Sequence, residues 1–405
     1  MEKNLWHNEN YWISPYNFIP SAAEDQPFPP DIEIHDATLR DGEQTPGVVF
    51  RKDEKVRIAA ELAQAGIQRI EVGMPAVSEE DRQAIAAIAK EGLDAKLYAF
   101  ARADPKDIQL CAECGVNGVI IELPIGKPKL QYQFKYGIEH ALEISQKAIQ
   151  QAKSCGLHTV LFPYDATRCE MDDLKFYLNG LKEGYLPDGI GLVDTMGCAT
   201  PEAIAYLTRL YKQQLGIPVE IHVHNDFGMG LYSSLAALRA GANVIHGCIN
   251  GLGERCGNVA TEEIAAAMQI LYHYDLGIDM KKLISLCRFV EKSSNYPIAN
   301  KKPVTGRGNY VRESGIGADT VINAPLAMFA VHPAYYLQEP QVVLGKKSGL
   351  LSIQLMLEQL HIGLDRETQK KILGQVKNLG AEKKRLVTDE EFLAIVKPFL
   401  SGKAE

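Results

Sequence analysis

The chain lacks a continuous apolar run of the length that crosses a membrane. A membrane-spanning helix needs about 20 mainly apolar residues, and no run of that kind occurs in the 405 residues. The opening segment also lacks the charged-then-apolar pattern of a secretion signal. We therefore expect neither a membrane span nor a cleavable leader.

An excess of positive charge is missing as well. The chain has 43 Lys and Arg residues against 51 Asp and Glu residues, which gives a formal net charge of −8. Proteins that bind nucleic acid or anionic membranes usually present a basic surface. The composition therefore argues against both partners, while a local basic pocket for an acidic metabolite is still compatible with it.

Cysteine pairs with the spacing of a zinc site are absent. The eight cysteines are scattered, and the CxxC formed by Cys111 and Cys114 has no second cysteine or histidine pair beside it. We interpret this CxxC as one face of a helical turn. Scattered cysteines are typical of a reducing compartment, so we predict a cytoplasmic protein.

What the sequence does contain is a regular alternation of short apolar runs with helix-like segments. The apolar runs cover residues 32–35, 67–72, 96–100, 118–123, 158–162, 189–193, 219–223 and 243–248. Several segments between them carry apolar residues at i, i+3 and i+4 and end in glycine. This alternation is typical of the α/β fold known as the (β/α)8 or TIM barrel. A doubly wound open sheet is the alternative, but the GxGxxG turn expected after its first strand is missing.

The composition changes on either side of this barrel. Residues 1–30 are rich in proline, asparagine and aromatic residues, and we predict an extended N-terminal arm. We assign residues 31–300 to the barrel and residues 301–405 to a linker or flap followed by a small, mainly helical C-terminal domain. In that domain Thr388 and Glu391 have the spacing of a helix-capping box.

Polar residues that follow the predicted strands carry the chemistry, because a TIM barrel places its active site at the C-terminal ends of its strands. His222 and His224 in HVHND are two residues apart at the end of strand 7, so they point to the same face. Asp41 follows strand 1 and could complete a metal site with open positions for water and substrate. The alternative is a packed or hydrogen-bonded histidine pair.

Such a metal site suits a 2-oxo acid, which chelates a cation through its keto oxygen and one carboxylate oxygen. The cation polarises the ketone as a Lewis acid, and Arg40, adjacent to Asp41, could hold the developing alkoxide. Arg40 could equally be a solvated or ion-paired loop residue. We interpret Glu71, inside strand 2, as a buried partner of Arg40 or Arg102 rather than as a catalyst.

Two long motifs resemble a known family. DATLRDGEQTPG, and HVHNDFGMG with AGANVIHGCINGLGERCGN, are similar to the signatures of the DRE-TIM metallolyase superfamily, Claisen-condensing branch. That branch contains isopropylmalate, homocitrate and citramalate synthases, which serve carboxylic acid and amino-acid biosynthesis. The resemblance implies an acyltransferase that condenses an acyl-CoA, usually acetyl-CoA, with a 2-oxo acid and then hydrolyses the CoA ester. It also implies a homodimer.

The resemblance further implies a divalent cation, Mn²⁺, Mg²⁺, Zn²⁺ or Co²⁺. Its expected ligands are Asp41, His222, His224 and, more loosely, Asn258 at the end of GERCGN. The product of the implied reaction is a 2-hydroxy dicarboxylic or tricarboxylic acid. The motifs do not specify which 2-oxo acid is used.

Other residues receive roles from the same resemblance. Arg40 polarises the ketone, Gln44 lines the site, and Glu254 belongs to the GER turn that closes it, which makes these three the catalytic candidates. Thr195 in DTMG matches a threonine that binds the carboxylate of the 2-oxo acid. Thr195 could instead cap a helix, Gln44 could be a structural loop residue, and Glu254 could simply pair with Arg255.

Two further arginines complete the predicted substrate-binding set. Arg102 follows strand 3, and Arg168 lies in PYDATR after strand 5. Arg168, with Lys127 and Lys129, could hold an additional carboxylate or the CoA phosphates. The alternative is a solvated basic loop.

The chain departs from the family pattern after the barrel. Arg312 and Gly317 stand where the synthases carry histidines, and Lys347 replaces a histidine in the later GKKSG. In the family, the base that removes the acyl-CoA proton is linked to the histidine matching Gly317. The identity of the base in this chain is therefore open.

Two other functions are weighed against the synthase. A lyase or aldolase of the same superfamily would cleave a 2-hydroxy acid or its CoA thioester. The catalytic cysteine of such a lyase lies in a GGCPY-type loop, whereas this chain has GLGERCGN, with Cys256 two residues before Asn258. A metal-free binding or assembly protein on a decayed barrel is the second alternative, and the intact metal-site motifs argue against it.

Overall fold

The computed structural model describes residues 5–20 and 27–400. These residues divide into two compact units, which are described separately. One unit comprises residues 20–298, and the other joins residues 5–19 to residues 299–400. Within the described ranges, every helix is too short or too polar to traverse a bilayer.

The first unit is a closed barrel of eight parallel strands whose order in space follows their order in the chain. The strands are β1 (Glu33–Asp36), β2 (Arg69–Glu71), β3 (Lys96–Arg102), β4 (Gly118–Pro124), β5 (His158–Tyr164), β6 (Gly189–Asp194), β7 (Val219–Val223) and β8 (Val244–Gly247). Strand β8 pairs with β1, with His35 opposite His246, and this pairing closes the ring. The predicted TIM barrel is confirmed, and each predicted apolar run overlaps one of these strands.

Among the described residues of this unit, nine α-helices lie between or after the strands. They are α1 (Lys52–Gln64), α2 (Glu79–Lys90), α3 (Pro105–Glu113), α4 (Ile138–Ser154), α5 (Met171–Glu183), α6 (Pro201–Leu215), α7 (Gly230–Arg239), α8 (Thr261–Ala266) and α9 (Met280–Ser294). Local chemistry sets several of their starts: Ser78 caps α2, Asp104 caps α3 and Thr200 caps α6. Cys111 lies in α3 and Cys114 directly follows this helix. Both are buried and neither forms a disulfide, which confirms their interpretation as one face of a helical turn.

Side chains that point into the barrel differ between its two halves. Strands β3 to β6 contribute an apolar and aromatic cluster: Tyr98, Phe100, Ile120, Val160, Phe162 and Val193. At inward positions, the other four strands carry charged and imidazole side chains: His35, Arg69, Glu71, Glu220, His222 and His246. Gly191 makes room for the largest apolar member, because a Cβ at that position would lie 2.5 Å from the Phe162 ring. The barrel is therefore filled, half by apolar packing and half by a buried polar array.

The second unit is mainly helical. Its helices are α10 (Ala318–Asn323), α11 (Leu350–Gln359), α12 (Arg366–Lys383) and α13 (Asp389–Leu400). Ile353, Leu357, Ile372, Val376, Phe392 and Val396 are among the buried residues of its core. Thr388 and Glu391 exchange backbone and side-chain hydrogen bonds of 3.0 and 3.3 Å, which confirms the predicted capping box.

This unit also contains a short parallel pairing that the sequence did not reveal. Strands β9 (Val311–Arg312) and β10 (Gln341–Val342) pair within the segment expected to be a linker or flap. A two-residue strand is too short for an alternation of apolar and polar residues to reveal it in the sequence. A residue of the predicted N-terminal arm also pairs with this segment: the backbone N–H of Trp12 donates to the carbonyl of Ala330 at 2.8 Å.

Candidate metal centre

Three buried side chains meet at the C-terminal ends of the strands. His222 lies on β7, His224 follows that strand directly, and Asp41 follows β1. Nε2 of His222 lies 3.1 Å from Asp41 Oδ2, and Nε2 of His224 lies 3.6 Å from the same oxygen. We call these three residues the rim cluster. One ligand atom from each lies within 4.8 Å of the others, so all three can reach a single ion.

Each side chain of the rim cluster also has a buried atom without a hydrogen-bond partner among the described residues. These atoms are Asp41 Oδ1 and the Nδ1 atoms of His222 and His224. Buried polar atoms in native proteins are nearly always paired, so the unpaired Oδ1 of Asp41 is available to a ligand. Two imidazoles and one carboxylate suit a divalent cation with open positions for water and substrate. The residues present therefore fit the metal that the motifs predict.

Electrostatics favour the protonation states that bind a metal. Burial alone would raise the pKa of Asp41, but Arg40 and the two histidines outweigh burial and hold that pKa well below its usual range. Burial lowers the pKa of His224 to about 4. At neutral pH the carboxylate is therefore charged and this imidazole neutral, which are the forms that coordinate metal ions.

Arg40 is held beside the rim cluster from three sides. Its Nε donates to Glu71 Oε1 at 2.5 Å, and its Nη1 lies 3.5 Å from Asp41 Oδ2. Its guanidinium carbon lies 4.1 Å from the centroid of the Phe100 ring. The interpretation of Glu71 as a buried partner of Arg40 is confirmed. A guanidinium fixed in this way is suited to stabilise negative charge that develops on a bound substrate.

The GLGERCGN loop brings Asn258 to the rim cluster. Asn258 forms an isolated bridge with His224 and is buried. Its Nδ2 donates to the carbonyl of Leu252 at 3.1 Å, which leaves the amide oxygen for another partner. The loop needs glycine at position 253, where φ is +144° and a Cβ would lie 2.3 Å from Asn258 Nδ2. The turn thus holds Asn258 against the backbone of His224 and leaves its amide oxygen as a candidate fourth ligand atom.

Arg255 connects three of the loops that surround the rim cluster. Its Nε and Nη2 donate to the carboxylate of Asp226 at 2.9 and 3.0 Å, and Nη2 also donates to the carbonyl of Thr195. Glu254 contacts Arg255 at 3.4 Å, but its side chain is 55% exposed. Arg255 therefore has Asp226 as its main partner and does more than pair with Glu254.

Thr195 lies directly after β6, within this ring of loops. Its hydroxyl accepts a hydrogen bond of 2.7 Å from the backbone N–H of Asp165. The hydroxyl proton can therefore still be donated to a ligand. Thr195 does not cap the following helix, because Thr200 does.

The side chains of three predicted residues form no hydrogen bond or ion pair with the rim cluster in the described chain, although the backbone N–H of Gln44 donates to the carbonyl of Asp41 at 2.9 Å. Gln44 is exposed at the end of a short 3₁₀ turn after Asp41. Arg102 is paired through two hydrogen bonds with Asp107 and its side chain is 66% exposed. Arg168 is paired in the same way with Asp165. Their roles toward a substrate stay predictions.

Glu122 is a site residue that the sequence reading missed. It lies on β4 two residues after the inward-pointing Ile120, so it faces the barrel mouth. Its side chain makes no hydrogen bond or ion pair with the described residues, and the residue is partly buried. Burial raises the pKa of its carboxyl to about 7, with smaller raising contributions from Asp41 and Glu71 against a lowering by Arg40. Strand alternation after Ile120 was the available signal.

The positions that depart from the family pattern belong to the second unit. Arg312 lies on β9, and its Nε donates to the carbonyl of Ile316 at 2.8 Å. Gly317 precedes α10 with a φ of +72°, a backbone conformation that side-chain-bearing residues rarely adopt. The backbone N–H of Lys347 donates to Glu313 at 2.9 Å. A histidine at position 317 would thus sit on a strained backbone.

Comparison with known proteins points to one family. The HMGL-like family profile matches residues 31–290. Homocitrate synthase of Methanothermobacter thermautotrophicus is 38% identical over 96% of this chain and 97% of its own length. A probable 2-isopropylmalate synthase of Ignicoccus hospitalis is 36% identical over 94% of this chain and 95% of its own length. An (R)-citramalate synthase of Methanocaldococcus jannaschii is 35% identical over 90% of this chain and 74% of its own length.

Solved structures share the barrel at much lower identity. The HMG-CoA lyase of Bacillus subtilis superposes with a TM-score of 0.62, covering 69% of this chain and 98% of that enzyme. The two sequences are 19% identical. This similarity supports the fold and carries no argument about the reaction.

Proposed function

The chain belongs to the HMGL-like family, and from that premise we propose that it condenses acetyl-CoA with a 2-oxo acid. The similar synthases are matched over almost the whole of this chain, and two of them over almost their whole length. Hydrolysis of the CoA ester would then release a 2-hydroxy dicarboxylic or tricarboxylic acid. The enzyme is accordingly an acyltransferase that forms a carbon–carbon bond.

The observation that carries this proposal is the rim cluster beside a fixed arginine. Asp41, His222 and His224 can reach one ion, and Arg40 lies 3.5 Å from Asp41. A divalent cation held there would act as a Lewis acid on the ketone of the 2-oxo acid. Asn258 is proposed as a further, weaker ligand through its amide oxygen. Mn²⁺, Mg²⁺, Zn²⁺ and Co²⁺ all suit this donor set.

The protein groups around the cluster would bind and orient the 2-oxo acid. We propose that the Thr195 hydroxyl donates to its carboxylate, because the acceptor side of that hydroxyl is already used by Asp165. The Arg40 guanidinium, fixed by Glu71, would stabilise the charge that develops on the keto oxygen. Arg255 would keep Thr195 and the GER turn in place.

A base must take the proton from the carbon next to the thioester, and Glu122 is our candidate. It is a carboxylate at the barrel mouth with no hydrogen bond or ion pair to the described residues. Its raised pKa, about 7, is close to the value at which a general base works best at neutral pH. The histidine that the family links to this step is replaced by Gly317 in this chain.

The cleaving alternative is less well supported. The relatives matched over nearly the full chain are named as synthases, whereas the HMG-CoA lyase structures resemble only the fold. Cys256 in GLGERCGN is exposed and lies in a loop unlike that of the lyase cysteine. A cleaving enzyme would need another group to carry that role.

The proposal is tested by a free-thiol assay of CoA release. Purified protein supplied with Mn²⁺ or Mg²⁺ is incubated with acetyl-CoA and, in turn, pyruvate, 2-oxoisovalerate, 2-oxoglutarate and oxaloacetate. We expect 2-oxo-acid-dependent CoA release with at least one of them. Absence of release with every pair, together with cleavage of a 2-hydroxy acid or its thioester, would replace the synthase by the lyase.

We also propose a cytoplasmic homodimer, with an N-terminal arm, a barrel and a C-terminal domain divided near residues 30 and 300. The dimer and the location rest on the family resemblance and on the scattered cysteines. The boundary near residue 300 is supported by the separation of residues 27–298 from residues 299–400, whereas residues 5–19 group with the C-terminal residues. Light scattering after gel filtration tests the dimer, and limited proteolysis tests the boundaries.

A further inference from the structure

Deeper in the barrel lies a second group made of the same residue types as the rim cluster. His35 on β1, Glu220 on β7 and His246 on β8 are all buried, with exposures of 0 to 2%. One ligand atom from each lies within 4.8 Å of the others. We call these three residues the core cluster. On distance alone it qualifies as a second metal site.

The neighbours of the core cluster argue against a metal. Arg69 Nη1 lies 2.7 Å from Glu220 Oε1, and Glu220 Oε2 lies 2.8 Å from His246 Nε2, so both carboxylate oxygens are engaged. The rings of His35 and His246 are stacked, 4.2 Å apart and 14° from parallel. A guanidinium already neutralises the carboxylate, and a dication beside it would meet direct repulsion. In contrast, Asp41 in the rim cluster keeps one oxygen unpaired.

The core cluster is connected to the rim cluster through the carboxylate of Glu71, in addition to a ring contact of 5.5 Å between His246 and His222. Nε2 of His35 lies 3.4 Å from Glu71 Oε2. The other oxygen of Glu71 accepts the 2.5 Å hydrogen bond from Arg40, and Arg40 in turn contacts Asp41. Imidazole, carboxylate and guanidinium thus form a continuous buried line from the barrel interior to the metal ligands.

We propose that the core cluster holds no metal and that His35 is a positioning residue, which fixes Glu71 and through it Arg40. Arg69 supplies the positive charge in place of a cation, and His246 fixes the plane of the His35 ring by stacking. The ring of His35 then places Nε2 3.4 Å from Glu71 Oε2, the oxygen that also accepts a hydrogen bond from Arg40 Nη2. Glu71 cannot rotate without losing both contacts, so the Arg40 guanidinium keeps its direction toward the keto oxygen.

Charges along the line are consistent with this role. Burial lowers the pKa of His35, and burial together with the neighbouring His35 lowers the pKa of His246 to about 3. Both rings are therefore neutral at neutral pH, with one N–H each. Burial would raise the pKa of Glu71, but Arg40 and His35 outweigh it and lower that pKa to about 2. Along this line the two neutral imidazoles carry no charge, and the negative charge of Glu71 is balanced by the positive charge of Arg40.

The test separates positioning from mere packing with two substitutions at one position. His35→Phe keeps the stacking on His246 and removes the N–H, whereas His35→Gln restores a donor near the position of Nε2. Because this inference uses the proposed condensation as its activity readout, CoA release by the wild type is measured first. Bound metal is counted in every variant by elemental analysis. His158→Phe is the control, since His158 is an exposed imidazole that contacts Tyr98 and not Glu71.

We expect His35→Phe to lower kcat by about 10- to 100-fold, the usual cost of losing a group that orients an active-site residue. KM for the 2-oxo acid, the metal content of one ion per chain and the control variant should be nearly unchanged. His35→Gln should recover most of kcat. In an Arg40→Lys background, His35→Phe should add little further loss, because the two changes act on one interaction.

Several outcomes would overturn the inference. An unchanged kcat in His35→Phe would contradict it. An equal loss of kcat from His35→Phe in the wild-type and Arg40→Lys backgrounds would contradict it as well. Two ions per chain in the wild type, with one lost in His35→Phe, would make the core cluster a metal site. If His35→Phe does not fold, the kcat of His35→Gln and the number of ions bound by the wild type are the measurements that test the inference. If the wild type releases no CoA with any substrate pair, the proposed function fails, and the ion count still tests the core cluster.

Discussion

The rim cluster and the core cluster have the same composition, two histidines and one acidic residue, yet they are built for different purposes. The rim histidines meet edge to face at 71°, and Asp41 keeps an unpaired oxygen. The core histidines are stacked, and both oxygens of Glu220 are taken by Arg69 and His246. Residue types alone therefore do not identify a metal site. What distinguishes the two clusters is whether the carboxylate keeps an unpaired oxygen for an ion, as Asp41 does and Glu220 does not.

The largest expected effect separates the clusters by activity. Asp41→Ala or His222→Ala should remove the metal and reduce turnover by at least about 10³-fold, the cost of losing an electrostatic element of the reaction. The fold should be retained, because each side chain has at least one unpaired buried atom in the metal-free chain. CoA release, elemental analysis and circular dichroism measure the three quantities. Unchanged turnover in either variant would show that the rim cluster is not the metal site.

The next effect separates the clusters by stability. Glu220→Ala leaves Arg69 and His246 buried without their shared partner. Breaking a buried ion pair in this way costs about 3–5 kcal/mol. Denaturant unfolding should show a loss of this size, while His224→Ala in metal-free protein should lose much less. Equal losses in the two variants would remove the distinction between a structural and a functional cluster.

The barrel interior should also respond to acid. The pKa of Glu71 is lowered to about 2 in the folded chain, below its ordinary value near 4.5. Its ionised form is therefore the one that the fold favours, and the stability it contributes is present above about pH 4.5 and lost as the pH falls toward 2. The contribution is on the order of 3 kcal/mol. Unfolding of metal-free protein between pH 6 and pH 3 measures it, with Glu71→Gln as the comparison.

The wild type should lose stability with falling pH more steeply than Glu71→Gln. Parallel profiles for the two proteins would mean that Glu71 does not titrate with the fold. The pKa of Glu220 is also lowered, since Arg69 and His246 outweigh burial. Protonation of Glu220 lowers the stability of both proteins equally, so its effect cancels in the comparison.

A smaller effect is expected at Glu122, which belongs to neither cluster. Glu122→Gln should lower kcat by about 10²-fold, the usual contribution of a general base. Metal content and stability should stay close to those of the wild type, because Glu122 has no hydrogen bond or ion pair to lose among the described residues. Exchange of the acetyl-CoA methyl protons with solvent would report the proton-transfer step directly. Wild-type exchange and turnover would assign the base elsewhere.

Much of the rim cluster was predictable from sequence, and the core cluster was not. Strand alternation gave His222 and His224 one direction, and the placement of loops after strands brought in Asp41. His35 and His246 also lie on predicted strands, but their contact depends on the pairing of β8 with β1 that closes the barrel. Sequence periodicity shows which face a residue is on and does not show which distant residue it meets.

The arginines illustrate the same limit on a shorter scale. Arg102 ends β3 and Arg168 follows β5, and both were predicted to bind substrate, yet each is paired with a carboxylate close in sequence. Asp107 lies in the first turn of α3 and Asp165 directly after β5, so nearby acidic residues were the signal for these pairs. Arg40 has an acidic neighbour too, but its main partner Glu71 comes from the adjacent strand.

The most direct test of the difference between the clusters is the number of metal ions bound and the residues that hold them. Metal-free protein is titrated with Mn²⁺, and bound ion is measured for the wild type, Asp41→Asn and Glu220→Gln. We predict one ion per chain in the wild type, none in Asp41→Asn and one in Glu220→Gln, provided that each variant is shown to be folded. Two ions in the wild type, or an ion retained by Asp41→Asn and lost by Glu220→Gln, would contradict the assignment of the rim cluster as the metal centre.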